Sequence, residues 1–378
     1  MADFELDEEN YGFGEDNEGI DDDNLVYQQV DTTPGFVYVI TDEQSFQSPK
    51  LRVKIGIVTG SRSVESRISE HQTGNPRRIR LIFKHASKAP RIVEHYIHQT
   101  QVKNNLLLEW FELSIAEVQQ LFNDITTIEA DKVPDYLRLS ELSNNVSEGE
   151  LNHSSTIDNL VSEFRTVSDE LKNVQIRLFE NRRDLILGAL GYAGIDGILS
   201  ITEVESKAQL RTFINKEYKN LDTAFMYRSV CSGSLKVQGV TKVTSYQYTN
   251  NARSLWLRHP NRQYILAPAV AGSRKLNEQR VANEKHANEI GAKLSILSDQ
   301  IKLLLGPYSS YKNDEVKWVR TDKQSFNKEA VINDQPEIYA AFMERLATGT
   351  SAKVKFERFL PLEVTDIFNF QGSTVPTE

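Results

Sequence analysis

The chain has 378 residues, 26% of them charged and 39% hydrophobic, which is long and apolar enough for two or three domains with cores of their own. Its longest apolar runs, such as Leu185 to Leu190, fall far short of the roughly 20 residues a bilayer crossing needs, and the acidic N-terminus has no signal-peptide pattern, so a cytoplasmic protein is expected. A single cysteine, Cys231, excludes an internal disulfide and a cysteine zinc cluster, while the formal charge of −9, read alone, argues against a nucleic-acid partner.

That charge is unevenly spread. Residues 1–31 hold twelve acidic residues and no Lys or Arg, and without them 41 acidic residues face 44 basic ones. Such a composition cannot bury enough apolar surface to offset the entropy of ordering, so a disordered acidic tail is expected. It is read as a solubilising segment, or as one that competes with DNA for the basic face beside it. Within 32–113, twelve bases face seven acids. Arg77, Arg78, Arg80, Lys84, Lys88 and Arg91 fall close together there, with Arg62 upstream, and form the predicted DNA-binding face.

Pro34-Gly35 ends the tail, and Phe36 to Ile40 reads as a buried strand. Leu51 to Val58 alternates apolar and polar residues as a second strand; residues 63–72 suit a short helix, stopped by Gly74-Asn75-Pro76, and Arg78 to Lys84 a third strand. Ala89 to Val102 is the next helix. Glu109 to Leu113 closes the unit, and a capping box of Ser114 and Glu117 starts a helix over 114–126. The Ser/Asn-rich stretch Glu141 to Ser155 reads as a linker. Ile157, Leu160, Phe164, Val167, Leu171, Val174, Leu178 and Leu185 then form a heptad seam whose missing position is Asn181, a residue able to fix register. A second helical stretch, Leu276 to Leu305, carries its own apolar stripe. The two can pair within one chain or with copies in a dimer. The narrow, regular first seam favours a coiled-coil homo-oligomer.

Between these helices, Lys207 to Lys219 reads as helical and Leu235 to Tyr248 as two strands about Gly239. Gly188, Gly191, Gly194 and Gly197 lack the Lys-Ser/Thr of a P-loop and read as turns. Arg253, Trp256, Arg258, His259, Arg262 and Tyr264 interleave charge with aromatics, a pattern better explained by packing than by nucleic acid. Strands at Glu315 to Val319 and Lys353 to Phe359 flank a helix over Pro336 to Leu346. The expected division is an acidic tail at 1–31, a small α+β domain at 32–130, a linker at 131–155, a coiled-coil helix at 156–187, a mixed α/β region at 188–270, and a long helix with an α/β accessory module at 271–378.

The chemistry concentrates in 35–113. The strands Gly35-Phe-Val-Tyr-Val-Ile and Lys54-Ile-Gly-Ile precede a helix with Glu65-Ser-Arg-Ile-Ser-Glu-His71, and Ile92-Val-Glu-His-Tyr-Ile-His98 follows. This set resembles the GIY-YIG nuclease superfamily. Tyr38 stands where the first motif's tyrosine belongs, Gly56 matches the glycine of the second, Arg67 the helical arginine and Glu94 the metal ligand. Lys54 replaces the second tyrosine. That change, with the Glu94/His98 helix and Glu109-Trp110-Phe111, resembles the phage DNA-binding branch. The resemblance implies a small mixed sheet with flanking helices, DNA as partner, and one divalent ion, Mg²⁺ or Mn²⁺, on Glu94, with His98 as a candidate second ligand. Leu303 to Pro307, Val316 to Trp318, Ser325 to Lys328 and Pro336 to Tyr339 resemble the accessory tail of phage recombination exonucleases, which implies a DNA-processing setting and, for a phage-encoded chain, the bacterial host cytoplasm.

Phosphodiester hydrolysis requires a deprotonated water, charge stabilisation on the phosphoryl group and help for the leaving oxygen. The resemblance implies that Glu94 holds the metal, Arg67 neutralises phosphate and Tyr38 activates or orients water. His71, one helical turn from Arg67, is a candidate base or phosphate contact, and Lys54 a phosphate contact. Taken singly, Tyr38 fits a core tyrosine and Arg67 with Glu94 an ion pair. His95 fits packing, and Glu109 and Asn105 are weaker site candidates. Three functions follow: a metal-dependent endonuclease, a DNA-binding protein without turnover, or an acidic-tailed inhibitor of a DNA-processing factor.

Overall fold

The computed structural model describes residues 32–43, 45, 49–73, 77–107, 109–144, 149–207, 214, 217–218, 227–326, 328–344 and 348–357. The predicted acidic tail and most of the predicted helix at 207–219 lie outside them. The fold is α+β, with mostly antiparallel sheets and with helices interspersed among the strands along the chain.

Strands β1 (Gly35–Asp42), β2 (Leu51–Thr59), β3 (Ile79–Ser87), β4 (Asn105–Leu107) and β5 (Trp110–Leu113) form one antiparallel sheet in the order β3-β1-β2-β5-β4. The apolar run of β1 is continuous because both of its faces are covered. Val37 and Val39 pack with Val53, Ile55, Val93 and Ile97 beneath α2 (Pro90–Thr100). Tyr38 and Ile40 pack with Val58, Val64 and Ile79 beneath α1 (Val64–Gln72). The Ser63 side chain caps α1 by accepting from the Ser66 amide, and Pro90 opens α2, where its missing N–H costs nothing.

The capping box is present: Glu117 N–H donates to Ser114 Oγ at 3.2 Å, and Ser114 N–H to Glu117 Oε2 at 2.7 Å. The helix it starts, α3 (Ile115–Asn144), does not stop at 126. It runs on through Pro134, so the first part of the predicted linker is helical. One lost backbone hydrogen bond at Pro134 is outweighed by burial of Tyr136 and Leu139 against the second half of the molecule.

The heptad seam lies on α4 (Ser155–Gly188), and its partner is α6 (Ala271–Leu305) of the same chain. Val167, Leu171 and Val174 pack with Ala287, Ile290 and Leu297, while Ile157 and Val161 meet Ile301 and Leu305. The helices run antiparallel, and Asn181 Oδ1 accepts from Asn283 Nδ2 at 2.9 Å. The expectation of a seam between copies is therefore corrected: these side chains are already buried within one chain. Helix α5 (Ser245–Arg258) packs on α4, with Phe179 and Tyr248 rings 5.9 Å apart.

Two further sheets flank this hairpin. Strands β6 (Glu150–Leu151), β9 (Tyr227–Val237), β10 (Ser310–Tyr311) and β11 (Val316–Phe326) form one in the order β6-β10-β11-β9. Strands β7 (Gly194–Ile195), β8 (Leu199–Lys207) and β12 (Thr348–Phe356) form the other in the order β12-β8-β7. Helices α7 (Lys328–Asp334) and α8 (Pro336–Glu344) connect them. The predicted C-terminal strands are present but belong to different sheets, so they do not make a module of their own. The second predicted strand after Gly239 is the helix α5, whose buried Thr249, Ala252 and Trp256 recur at helical spacing. Gly191, Gly194 and Gly197 have positive φ, as turns require; at Gly194 a Cβ would meet the Leu199 carbonyl oxygen at 2.2 Å. Trp256 donates to the Tyr192 carbonyl at 2.7 Å and Arg262 lies over its ring, so the Arg/aromatic pattern serves packing there. No helix among the described residues is long and apolar enough to cross a membrane.

Candidate active site

Gly56 stands opposite Tyr38 in the β1–β2 register, and a Cβ at Gly56 would lie 2.8 Å from the Tyr38 hydroxyl oxygen. Only glycine leaves room for the phenol to cross β2. The hydroxyl thereby reaches α1, 3.1 Å from His71 Nε2. Tyr38 is 1% exposed, and burial raises its pKa against the opposing pull of the Arg67 guanidinium, so it remains a neutral phenol at pH 7.

Arg67 and His71 share a face of α1 because they are four residues apart. Arg67 Nη1 donates to Glu70 Oε2 at 2.6 Å, and Arg62 pairs with the other oxygen of that carboxylate. These two cations hold Glu70 below the usual carboxylate range, and Glu70 in turn raises Arg67. Burial lowers His71, and Lys54 and Arg67 lower it further. A neutral His71 then accepts from the Tyr38 hydroxyl when its own proton sits on Nδ1.

Lys54 lies on β2 between Ile40 and Trp110 in register and is 8% exposed. Its ammonium pairs with Glu109, whose carbonyl also accepts the Ile55 amide at 3.1 Å. Burial lowers the Lys54 pKa, with Arg67 adding and Glu94 opposing. Glu94 enters from α2, within electrostatic reach of Lys54 and Tyr38. Burial pushes its carboxyl up to about 7, although Lys54 and Arg91 pull the other way.

His98, one turn along α2, has Nε2 3.2 Å from the Ile55 carbonyl oxygen and its ring 5.0 Å from Phe111. Burial pushes it down to about 4, so the ring is neutral and donates that Nε2 proton to β2. The bond ties α2 to the strand carrying Lys54 and Gly56; only Nδ1 keeps a lone pair.

Among the described residues no three His, Cys, Asp or Glu side chains converge into a metal-holding group, so the protein would offer an ion the Glu94 carboxylate with at most one further side chain. One carboxylate with waters suits a hard dication such as Mg²⁺ or Mn²⁺. The chain's own cations leave Glu94 under-compensated, since burial outweighs Lys54 and Arg91. The residues present therefore fit such an ion.

The predicted basic face is exposed but largely ion-paired. Arg80 reaches Glu43 at 2.7 Å and Arg78 the same carboxylate at 3.8 Å, while Lys84, opposite Tyr38 in register, reaches Glu65 at 2.8 Å. Arg77, Lys88 and Arg91 are also exposed. Exposed pairs of this kind are worth at most about 1 kcal/mol, so phosphate can displace the carboxylates. The carboxylate partners Glu43, Glu65 and Glu70 were not singled out from sequence. Only Glu70, three residues beyond Arg67 on one helix, left a readable spacing.

Residues 35–126 match the T5orf172 domain family, a phage-associated domain of the GIY-YIG/HNH-like nuclease type. The match spans the five-stranded sheet, α1, α2 and the first turns of α3, roughly a quarter of the chain. Comparison with curated proteins and with solved structures found no match. The similarity points to a DNA-interacting, phage-type domain built on the sheet that carries Tyr38 and Lys54, with Glu94 on the helix α2 packed against it.

Proposed function

We propose that the N-terminal domain is a DNA endonuclease that hydrolyses phosphodiesters with one divalent ion. The observation that carries this reading is the Tyr38–His71 hydrogen bond beside Arg67, with an under-compensated Glu94 within electrostatic reach. Tyr38 orients the attacking water and passes its hydroxyl proton to the neutral His71 as the water loses its own. Arg67 trades Glu70 for the phosphate. Lys54, held by Glu109, adds positive charge beside the phosphoryl group. The dication, when bound, supplies Lewis-acid stabilisation of the leaving oxygen. Glu94 holds it there, and ionised Glu94 is the form that does so.

The test is incubation of supercoiled plasmid with the full chain in Mg²⁺, Mn²⁺ or EDTA, beside Arg67→Ala. The expected result is metal-dependent nicking that falls by about 10²-fold or more in the variant, the scale of removing one transition-state donor. Binding without nicking supports the second reading, a DNA-binding protein. The observation favouring it is Lys54 itself, buried and paired with Glu109 where the superfamily has a tyrosine.

A further inference from the structure

Arg62 stands just before the Ser63 cap of α1, Arg67 lies one turn into the helix, and Glu70 lies in its last turn. The Glu70 carboxylate spans the two guanidiniums: its Oε2 accepts from Arg67 Nη1 at 2.6 Å, and its Oε1 accepts from Arg62 Nη2. Between a third and a half of each of the three side chains is open to solvent, so a ligand can reach the same two forks from outside.

The helix itself gains little from a carboxylate at this position. Its last turn is the negative end of the helix dipole, which favours His71 and opposes Glu70, whereas Glu65 holds the favourable first turn. Arginine followed by glutamate is also the less favourable order for an ion pair along a helix. What Glu70 does satisfy is the pair of arginines. A carboxylate and a phosphodiester resemble each other in the respect that matters here, since each offers a guanidinium two oxygens that share one negative charge. The place Glu70 fills also adjoins the proposed chemistry, because Arg67 lies within hydrogen-bonding reach of Tyr38 and the Arg62 charge is felt at His71.

We infer that Arg62 and Arg67 together clamp one phosphate of the DNA backbone, and that Glu70 occupies this clamp in the free protein as a carboxylate the phosphate must displace. The choice of DNA rests on the proposed function. The inference adds Arg62 to the residues that touch the substrate and gives Glu70 an inhibitory part. Exchange replaces one negative charge by another, so the clamp gains no net charge when DNA arrives. Two exposed ion pairs are given up, each worth up to about a factor of five in affinity, and Glu70 thereby sets the threshold for engagement.

The experiment measures affinity of the full chain for a labelled DNA duplex in EDTA, at about 50 and about 200 mM salt. Glu70→Gln keeps the size of the side chain and removes its charge; Glu278→Gln, at an exposed position of α6, makes the same change of net charge elsewhere. At the lower salt Glu70→Gln should bind roughly three- to tenfold tighter and Glu278→Gln less than twofold, and the gain should shrink at the higher salt. Glu70→Ala, which removes the carboxylate by truncation, should show the same gain. Arg62→Ala should weaken binding and, combined with Glu70→Gln, cancel most of the gain. Unchanged or weaker binding in Glu70→Gln, or a gain no larger than that of Glu278→Gln, would overturn the proposal. A gain that survives Arg62→Ala in full would overturn the two-arginine clamp. Tighter binding by Glu70→Gln in a chain that nicks in no metal would remove the nuclease reading and leave the clamp standing; nicking with no gain from Glu70→Gln would do the reverse. A chain that binds no duplex in any of these forms would overturn both.

Discussion

Tyr38 reaches His71 through the gap left by a neighbour that has no side chain. Gly56→Ala would push a methyl into the phenol at 2.8 Å, and the ring end, being the movable part, would swing off His71. Cleavage is expected to fall at least tenfold while the melting temperature changes little, as plasmid nicking and calorimetry would show. The partly buried Glu94 makes a separate claim. An unfolded chain loses this proton near the ordinary 4.5 and the folded chain only near 7, so raising the pH through that window withdraws stability. Glu94→Gln should therefore stabilise the metal-free protein by about 2 to 3 kcal/mol at pH 8 and by almost nothing at pH 4, read from denaturant melts. Activity should follow the opposite sense, dying as the pH falls and Glu94 and then His71 take up protons. Rising Mg²⁺ should shift the Glu94 limb to lower pH, because metal and proton compete for one carboxylate. The residue types at Tyr38, Arg67 and Glu94 were legible in the sequence. Their partners were not: that Lys54 is held by Glu109, and His98 by the Ile55 carbonyl, follows from strand register that no local pattern encodes.

Among the elements, periodicity revealed α4 and α6 but not which stripe covers which. A heptad seam specifies an apolar face, and the face that answers it here lies about a hundred residues later in the same chain. Leu171→Ala should cost about 2 to 5 kcal/mol of stability, a core truncation rather than a loss of assembly. Replacing both Leu171 and Leu178 by Ser should likewise lower the melting temperature; light scattering that instead showed a folded dimer becoming a folded monomer would contradict the hairpin. Pro134 misled the reading of α3 for a related reason. Proline predicts a boundary from local chemistry, whereas Tyr136 and Leu139 hold that helix together through packing with α4 and α6. After Gly239, β-branched and aromatic residues favoured a strand, and burial of Ala252 and Trp256 beneath the β8–β12 sheet decided for a helix.

For the whole molecule, the N-terminal sheet is bolted to the hairpin rather than tethered to it. Gln99 of α2 donates to Ser295 of α6 at 3.2 Å and accepts from Tyr136 of α3 at 3.3 Å, so the helix that bears Glu94 rests on the hairpin. The chain enters the domain at Pro34, beside the paired ends of β1 and β3, directly after the acidic residues 1–31 of the sequence. Deleting them should tighten DNA binding several-fold at low salt and hardly at all at high salt, as a titration in both conditions would show. In the proposed function Glu94 holds the ion that makes this domain a nuclease. The measurement that tests it most directly is plasmid nicking by wild type and Glu94→Gln across Mg²⁺ and Mn²⁺ concentrations. Nicking is expected in the wild type, abolished by EDTA and lost in both metals in Glu94→Gln, with DNA affinity retained. Nicking that persists in Glu94→Gln at wild-type metal concentrations would contradict it.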